Sequence, residues 1–149
     1  QWLEFRRVLF RSNLNLLGVR KPEIYGYETL NDINEWLSKT EEGSKCKFNF
    51  YQSNHEGAII DTLHNLKDWA HGVIINAGAY THYSIAIRDA IEGIDVPTVE
   101  VHLSDVENRE DFRKISVISD VCIKKISGLH KYSYLEGLKY LLNIENEYN

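Results

Sequence analysis

Methionine is absent from this chain, and proline and cysteine each occur only twice in its 149 residues. With only Pro22 and Pro97 to interrupt it, most of the chain is free to run as helix or strand. No apolar run approaches the ~18 residues of a membrane-spanning helix, so no membrane association is expected. An excess of positive charge is lacking too. Seventeen Lys and Arg stand against 22 Asp and Glu, a formal net charge of −5, which argues against a nucleic-acid partner. Cys46 and Cys122 lie far apart, share no metal-like spacing and sit in apolar stretches. Buried free thiols in a reducing, cytoplasmic compartment are expected. Internal repeats, low-complexity segments and linkers are also missing. The opening QWLEFRRVLFRS is not expected to act as a signal peptide, because Arg6, Arg7 and Arg11 interrupt its apolar residues and no small-residue cleavage site follows.

What remains is globular: 43% hydrophobic and 26% charged residues. The length fits one domain spanning residues 1–149, large enough to bury a core without a disulfide or metal staple. Trp2 to Phe10 can form a strand, although the arginine pair breaks its alternation. Leu30, Ile33 and Leu37 repeat at helical spacing, with a Thr29-x-x-Asp32 start signal and Gly43 as a stop. Lys45 to Gln52 alternates with Cys46, Phe48 and Phe50 on one face and predicts a strand. Ile59, Leu63, Leu66 and Ala70 predict the next helix, and GVIIN, ending at Asn76, a buried strand. Ser84 to Gly93 predicts a helix, VPTVEVHL and DVCIKKI two further strands, and Tyr134 to Glu147 a final amphipathic helix. Short apolar strands separated by single helices mean a parallel sheet covered on both faces. The expected fold is α/β, a flavodoxin-like three-layer sandwich with a five-stranded parallel sheet.

Ligands of such sheets bind beyond the carboxyl ends of the strands, so the polar residues there are the candidates. Arg20 and Tyr25 flank Pro22 in a long loop. Two readings are open: a solvated arginine with a tyrosine ring packed under the loop, or a guanidinium that favours phenolate and makes Tyr25 a general base. Glu100 and His102 are two apart on a strand and so face one side. Here too there are two readings, a core histidine bonded to a backbone carbonyl or an acid oriented by its carboxylate; a charged Glu inside a buried strand favours the second. NAGAYTH, residues 76–82, opens a helix whose amides can receive an anion. SNHEG, residues 53–57, reads first as a helix cap through Ser53 or Asn54 with Glu56. His55, His82 and His102 form no standard metal spacing, and no metal is expected. No Gly-rich phosphate loop is present, so no nucleotide cofactor is indicated. His64, His71 and His130 are expected to be solvated.

Taken together and in order, NLNLLG (13–18) with Arg20, Pro22 and Tyr25-Gly26, QSNHEG (52–57), INAGAYTH (75–82), IAIRDAI (85–91), VPTVEVHLSDV (96–106) and REDFR (109–113) resemble the type II 3-dehydroquinate dehydratase family from Asn13 to about Leu142. The resemblance implies a cofactor-independent lyase of the shikimate or quinate pathways. Its reaction is anti elimination of water from 3-dehydroquinate, through an enolate, to give 3-dehydroshikimate. It implies a homo-oligomer, a dodecamer built as a tetramer of trimers. It implies Tyr25 as the base, Arg20 as the group that keeps it ionised, Asn13 as the holder of a water against the enolate oxygen, and His102, oriented by Glu100, as the acid. Asn76, His82 and Arg113 match substrate-binding positions, with the amides of Leu103 and Ser104 at the carboxylate and Arg109 as a second lid-region arginine. Asp89 matches a position that reaches toward a neighbouring subunit's site.

Departures from the pattern concentrate at the start. Phe10-Arg11-Ser12 stand where the family has Asn-Gly-Pro, and residues 1–12 read as a foreign segment in place of the family's first strand. Arg6 and Arg7, being adjacent, must point to opposite faces of a regular strand. Ordered pairing is therefore expected only from about Val8, with Gln1 to Arg7 displaced and Asn13 less securely aimed. Lys21 replaces a common acidic residue, and residues 105–108 differ from the usual stretch. Two other classes are weighed: a catalytically impaired flavodoxin-like binding module for a small carboxylate, and a hydrolase using Glu100, His102 and Ser104. The hydrolase lacks a Gly-x-Ser-x-Gly elbow.

Overall fold

A computed structural model describes residues 5–11 and 27–148 of the chain. Five strands, β1 (Phe5–Arg11), β2 (Cys46–Gln52), β3 (Gly72–Asn76), β4 (Thr98–His102) and β5 (Lys124–Ser127), pair in the order β2-β1-β3-β4-β5. Every pairing is parallel. Between and after them run α1 (Leu30–Lys39), α2 (Glu56–Leu66), α3 (Ile85–Ile94), the single turn α4 (Asp111–Lys114) and α5 (Tyr132–Tyr148). This is the doubly wound arrangement expected from the strand and helix pattern. Among the described residues no helix is long and apolar enough to cross a membrane.

Strand alternation divides the core into two. Val8, Val73 and Ile75 point to one face, where Ile59 and Leu63 of α2 and Ile87, Ala90 and Ile91 of α3 cover them. Leu9, Ile74, Val99 and Val101 point to the other, against Ile33 and Leu37 of α1 and Leu138 and Leu141 of α5. Helix α5 comes close because Gly137 faces β4: a Cβ there would lie 3.3 Å from Val101 Cγ1.

Several boundaries differ from expectation. Helix α1 stops at Lys39, before Gly43, because the Thr40 hydroxyl donates to the Leu37 carbonyl at 2.7 Å. Gly43 instead lets the chain fold over that helix end, where a Cβ would sit 1.8 Å from the Leu37 oxygen. Helix α3 runs through Gly93 and ends where Asp95 turns left-handed at φ 53°. The fifth strand begins at Lys124 because Ser119–Val121 forms a 3-10 turn. Ser53 and Asn54 do not cap α2; its cap residue is His55 without a side-chain bond, and the Glu56 carboxylate accepts the Ser84 hydroxyl at 2.6 Å. Cys46 and Cys122 are free but half-buried, and burial raises their thiols to about 11 and about 12.

The main correction concerns β1. Pairing does not wait for Val8: it runs in register from Phe5↔Cys46 to Arg11↔Gln52, and from Arg7↔Gly72 to Arg11↔Asn76. Residues 1–4 lie outside the described residues. A regular strand is possible because each arginine finds a local remedy. Arg6 places its guanidinium over the Trp69 ring, 5.7 Å from the centroid. Arg7 points into the opposite layer and is fully buried, with Nη2 2.7 Å from Glu145 Oε1 on α5 and Nη1 donating to the Arg6 carbonyl. The Arg7–Glu145 approach is an ion pair without hydrogen-bond alignment. Arg11, on the same face, donates to Asn34 Oδ1 of α1 and lies 4.4 Å from the centre of the Tyr134 ring.

Removing one partner of a buried ion pair leaves an uncompensated charge, typically a loss of about 3–5 kcal/mol. Glu145→Ala is expected near the lower end of that range, since Glu145 keeps some solvent contact. The double replacement Arg7→Leu/Glu145→Leu should regain the loss or exceed the unmodified chain. Urea-unfolding midpoints measure both.

Candidate active site

The carboxyl ends of the strands hold the polar residues. Thr98, Glu100 and His102 share one face of β4, a strand whose five residues are all buried. Glu100 is fully buried and His102 nearly so. His102 Nε2 lies 2.6 Å from Glu100 Oε2, so the nitrogen facing the carboxylate carries a proton and the other ring nitrogen is the one able to face a ligand. The second carboxylate oxygen, Oε1, accepts the Ser119 hydroxyl at 2.6 Å and the Ser116 hydroxyl at 3.1 Å. Burial alone pushes the Glu100 carboxyl up, but the bonds from His102, Ser119 and Ser116 together hold it below its ordinary value. Glu100 is thus an ion in a dry layer.

Asn76 ends β3 next to the carboxyl end of β1, where Arg11 is its register partner. Its Oδ1 accepts the Gly78 amide at 3.2 Å and its Nδ2 donates to the Tyr134 hydroxyl at 3.2 Å. The chain then turns through a 3-10 segment, Gly78–His82. His82 Nδ1 is 2.6 Å from the Ile115 carbonyl and therefore donates to it, and its ring meets Phe112 edge-on. The Val117 amide donates to the Thr81 carbonyl at 2.9 Å. These bonds join the loop after β3 to the segment around α4.

Beyond β4, Leu103 is buried, and its carbonyl accepts the His130 amide. Ser104 lies under Arg109, whose Nη1 is 3.4 Å from its hydroxyl. Arg109 and Arg113 both approach Glu110, at 3.7 and 2.9 Å. Glu110's own backbone amide and the two guanidinium charges hold its carboxyl below the ordinary range. Asp89 is exposed on α3.

Of the residues singled out in the sequence, Glu100 and His102 are in contact. Asn76 ends β3, His82, Ser104 and Arg109 lie in the connections after β3 and β4, and Arg113 lies on α4. Asn13, Arg20 and Tyr25, with Lys21, lie outside the described residues. Sequence reasoning missed Ser116, Ser119, Tyr134 and Glu110. Only Tyr134 carried a signal: a tyrosine at the core start of an amphipathic helix needs a partner for its hydroxyl.

The fold and the site define a doubly wound α/β subunit with a carboxylate-held histidine at the ligand-binding edge, an arrangement suited to proton transfer. The family model described as "Dehydroquinase class II" matches residues 7–142. A 3-dehydroquinate dehydratase of Trichodesmium erythraeum (strain IMS101) is 53% identical over 136 residues, covering 91% of each chain. The crystal structure of a type II dehydroquinase from Butyrivibrio crossotus superposes with a TM-score of 0.90 at 38% identity, covering 93% of this chain and 98% of that one. That of the Propionibacterium acnes type II dehydroquinase gives 0.88 at 32%, covering 96% and 99%. The chain belongs to the class II dehydroquinase family.

Because the folded state lowers the Glu100 carboxyl below its ordinary 4.5, ionised Glu100 contributes stability that is fully present above that value. The contribution is lost as pH falls through the lowered value. Glu100→Gln should flatten the pH dependence of the urea midpoint below about pH 4.5. An unchanged slope would mean that Glu100 carries no linked proton.

Proposed function

We propose that the chain dehydrates 3-dehydroquinate to 3-dehydroshikimate, and that the pair Glu100–His102 carries the reading. Losing water from a β-hydroxy ketone through an enolate needs a base at the α-carbon, a stabiliser for the enolate oxygen and an acid for the departing hydroxyl. The pair supplies the acid: a buried carboxylate 2.6 Å from the ring fixes which nitrogen is presented. Tyr25, ionised beside Arg20, takes the α-proton, and Asn13 holds a water against the enolate oxygen. His102 then gives its proton to the leaving hydroxyl, so one water departs and the electron pair of the broken C–H bond ends in the new C=C bond. No Schiff-base lysine is required.

The substrate is an anion, and Arg109 and Arg113 supply positive charge in a chain whose net charge is −5. Asn76 and His82 bind its hydroxyls, and the amides of Leu103 and Ser104 its carboxylate. Exposed Asp89 reaches toward a neighbouring site within a trimer, four of which make a dodecamer. A cytoplasmic enzyme of aromatic biosynthesis or quinate breakdown fits this reading.

Absorbance of the conjugated enone on adding 3-dehydroquinate tests it. A rise is expected, whereas a bound but unchanged ligand would indicate a carboxylate-binding module. Tyr25→Phe should fold normally and lose about 10²–10⁴-fold in turnover, the usual worth of a general base. Near-normal rates would remove Tyr25 from the mechanism. His102→Ala should slow product formation more than exchange of the α-hydrogen with deuterated solvent, because Tyr25 is untouched. Equal losses would mean one concerted step or another role for the histidine.

A further inference from the structure

The unexplained feature of the site lies behind the acid. Glu100 Oε1, the carboxylate oxygen turned away from His102, receives two hydroxyls, from Ser119 at 2.6 Å and Ser116 at 3.1 Å. An ionised carboxylate accepts and does not donate, so both serines must give their protons to it. Their segment is pinned independently. Ile118, between them, is fully buried in the core beside α3. The Val117 amide donates to the Thr81 carbonyl at 2.9 Å, and the Val117 carbonyl accepts Arg88 Nη1 at 2.9 Å. The hydroxyls are therefore presented by backbone locked to the loop after β3 and to α3, not by a loose loop.

We propose that Ser116 and Ser119 are positioning residues for proton donation: they anchor one oxygen of Glu100 so that the other holds His102 in the orientation and charge state that delivers a proton. The inference rests on the dehydratase reading. A carboxylate anchored at both oxygens cannot rotate about its terminal bond, and its charge is shared among three donors. Without the hydroxyls the whole charge falls on the imidazole, which then holds its proton more tightly and is a weaker acid. The other ionisable groups around Glu100 leave this logic in place. Lys125 is its register partner on β5. The Cys122 thiol, pushed up to about 12 by burial and by the Glu100 charge, stays neutral at working pH. Arg88 of α3 turns to the Val117 carbonyl and lies 3.9 Å from Asp120.

The test compares Ser119→Thr with Ser119→Val, which have nearly the same shape but differ by the hydroxyl, each alone and with Ser116→Ala. The Val variants should lose about tenfold or more in kcat, within the range general acids supply. Their KM should stay within about twofold, and the basic limb of the kcat profile should move to higher pH. Ser119→Thr should restore both rate and limb. Nitrogen-15 NMR titration of His102 gives a readout independent of turnover: the ring should titrate at higher pH in the Val variants than in the Thr variant or the unmodified chain. Equal kcat and equal His102 titration in the Thr and Val variants would overturn the proposal, as would equal losses without a shifted limb. If the unmodified chain has no dehydratase activity, the dehydratase reading fails, while the titration still decides whether the serines set the proton affinity of His102.

Discussion

A carboxylate in the middle of a fully buried strand is the constraint on which the rest of the site depends. Strand β4 has no solvent on either face, and an ion there without partners would cost several kcal/mol. Glu100 tolerates that position because its oxygens are engaged by His102, Ser116 and Ser119. His102 lies on the same strand and the two serines share one segment after α4, so the carboxylate ties the end of β4 to that segment. The loop after β3 is bonded to the same segment through Thr81 and His82. One buried charge thus organises the sheet edge at which a ligand would bind.

The central strand β1 meets the same problem with the opposite sign. Arg7 and Arg11 lie in the layer covered by α1 and α5, and both are buried. Glu145 answers Arg7, whereas Asn34 and the face of Tyr134 answer Arg11. The two solutions are not equivalent. Glu100 is surrounded by directed hydrogen bonds, while Arg7 meets Glu145 without such alignment. Directed bonds hold a functional group at one angle; an unaligned ion pair offsets only the charge. The difference is that between a side chain held at one orientation and one that is only neutralised in its layer.

Much of this was readable in the sequence. The five strands and their helices follow from short apolar runs, because a parallel sheet covered on both faces leaves a near-continuous hydrophobic signal. The contact of Glu100 with His102 follows from the two-residue period of a strand. The pairing of Phe5 to Arg7 was not readable, since whether an arginine can enter a dry layer depends on Glu145, more than a hundred residues later, and on Trp69. The serines were invisible for the same reason: Ile-Ser-Val-Ile-Ser has no pattern that announces a carboxylate partner. Helix ends were misread where a side chain overruled propensity, as Thr40 did before Gly43.

Tyr134 connects the two buried-charge solutions. Its ring receives the Arg11 guanidinium, and its hydroxyl receives Asn76 Nδ2, so a single fully buried side chain touches the ends of both β1 and β3. Those strands are the neighbours at which the doubly wound sheet reverses its winding, the place where such folds bind ligands. Asn76 has its carbonyl oxygen bonded to Gly78 and its amide bonded to Tyr134, so its orientation is set before any ligand arrives. Arg11 and Asn76 therefore share one partner, Tyr134, at the carboxyl ends of their neighbouring strands. A charge buried at the end of the central strand is thereby built into the packing at this switch point rather than set apart from it.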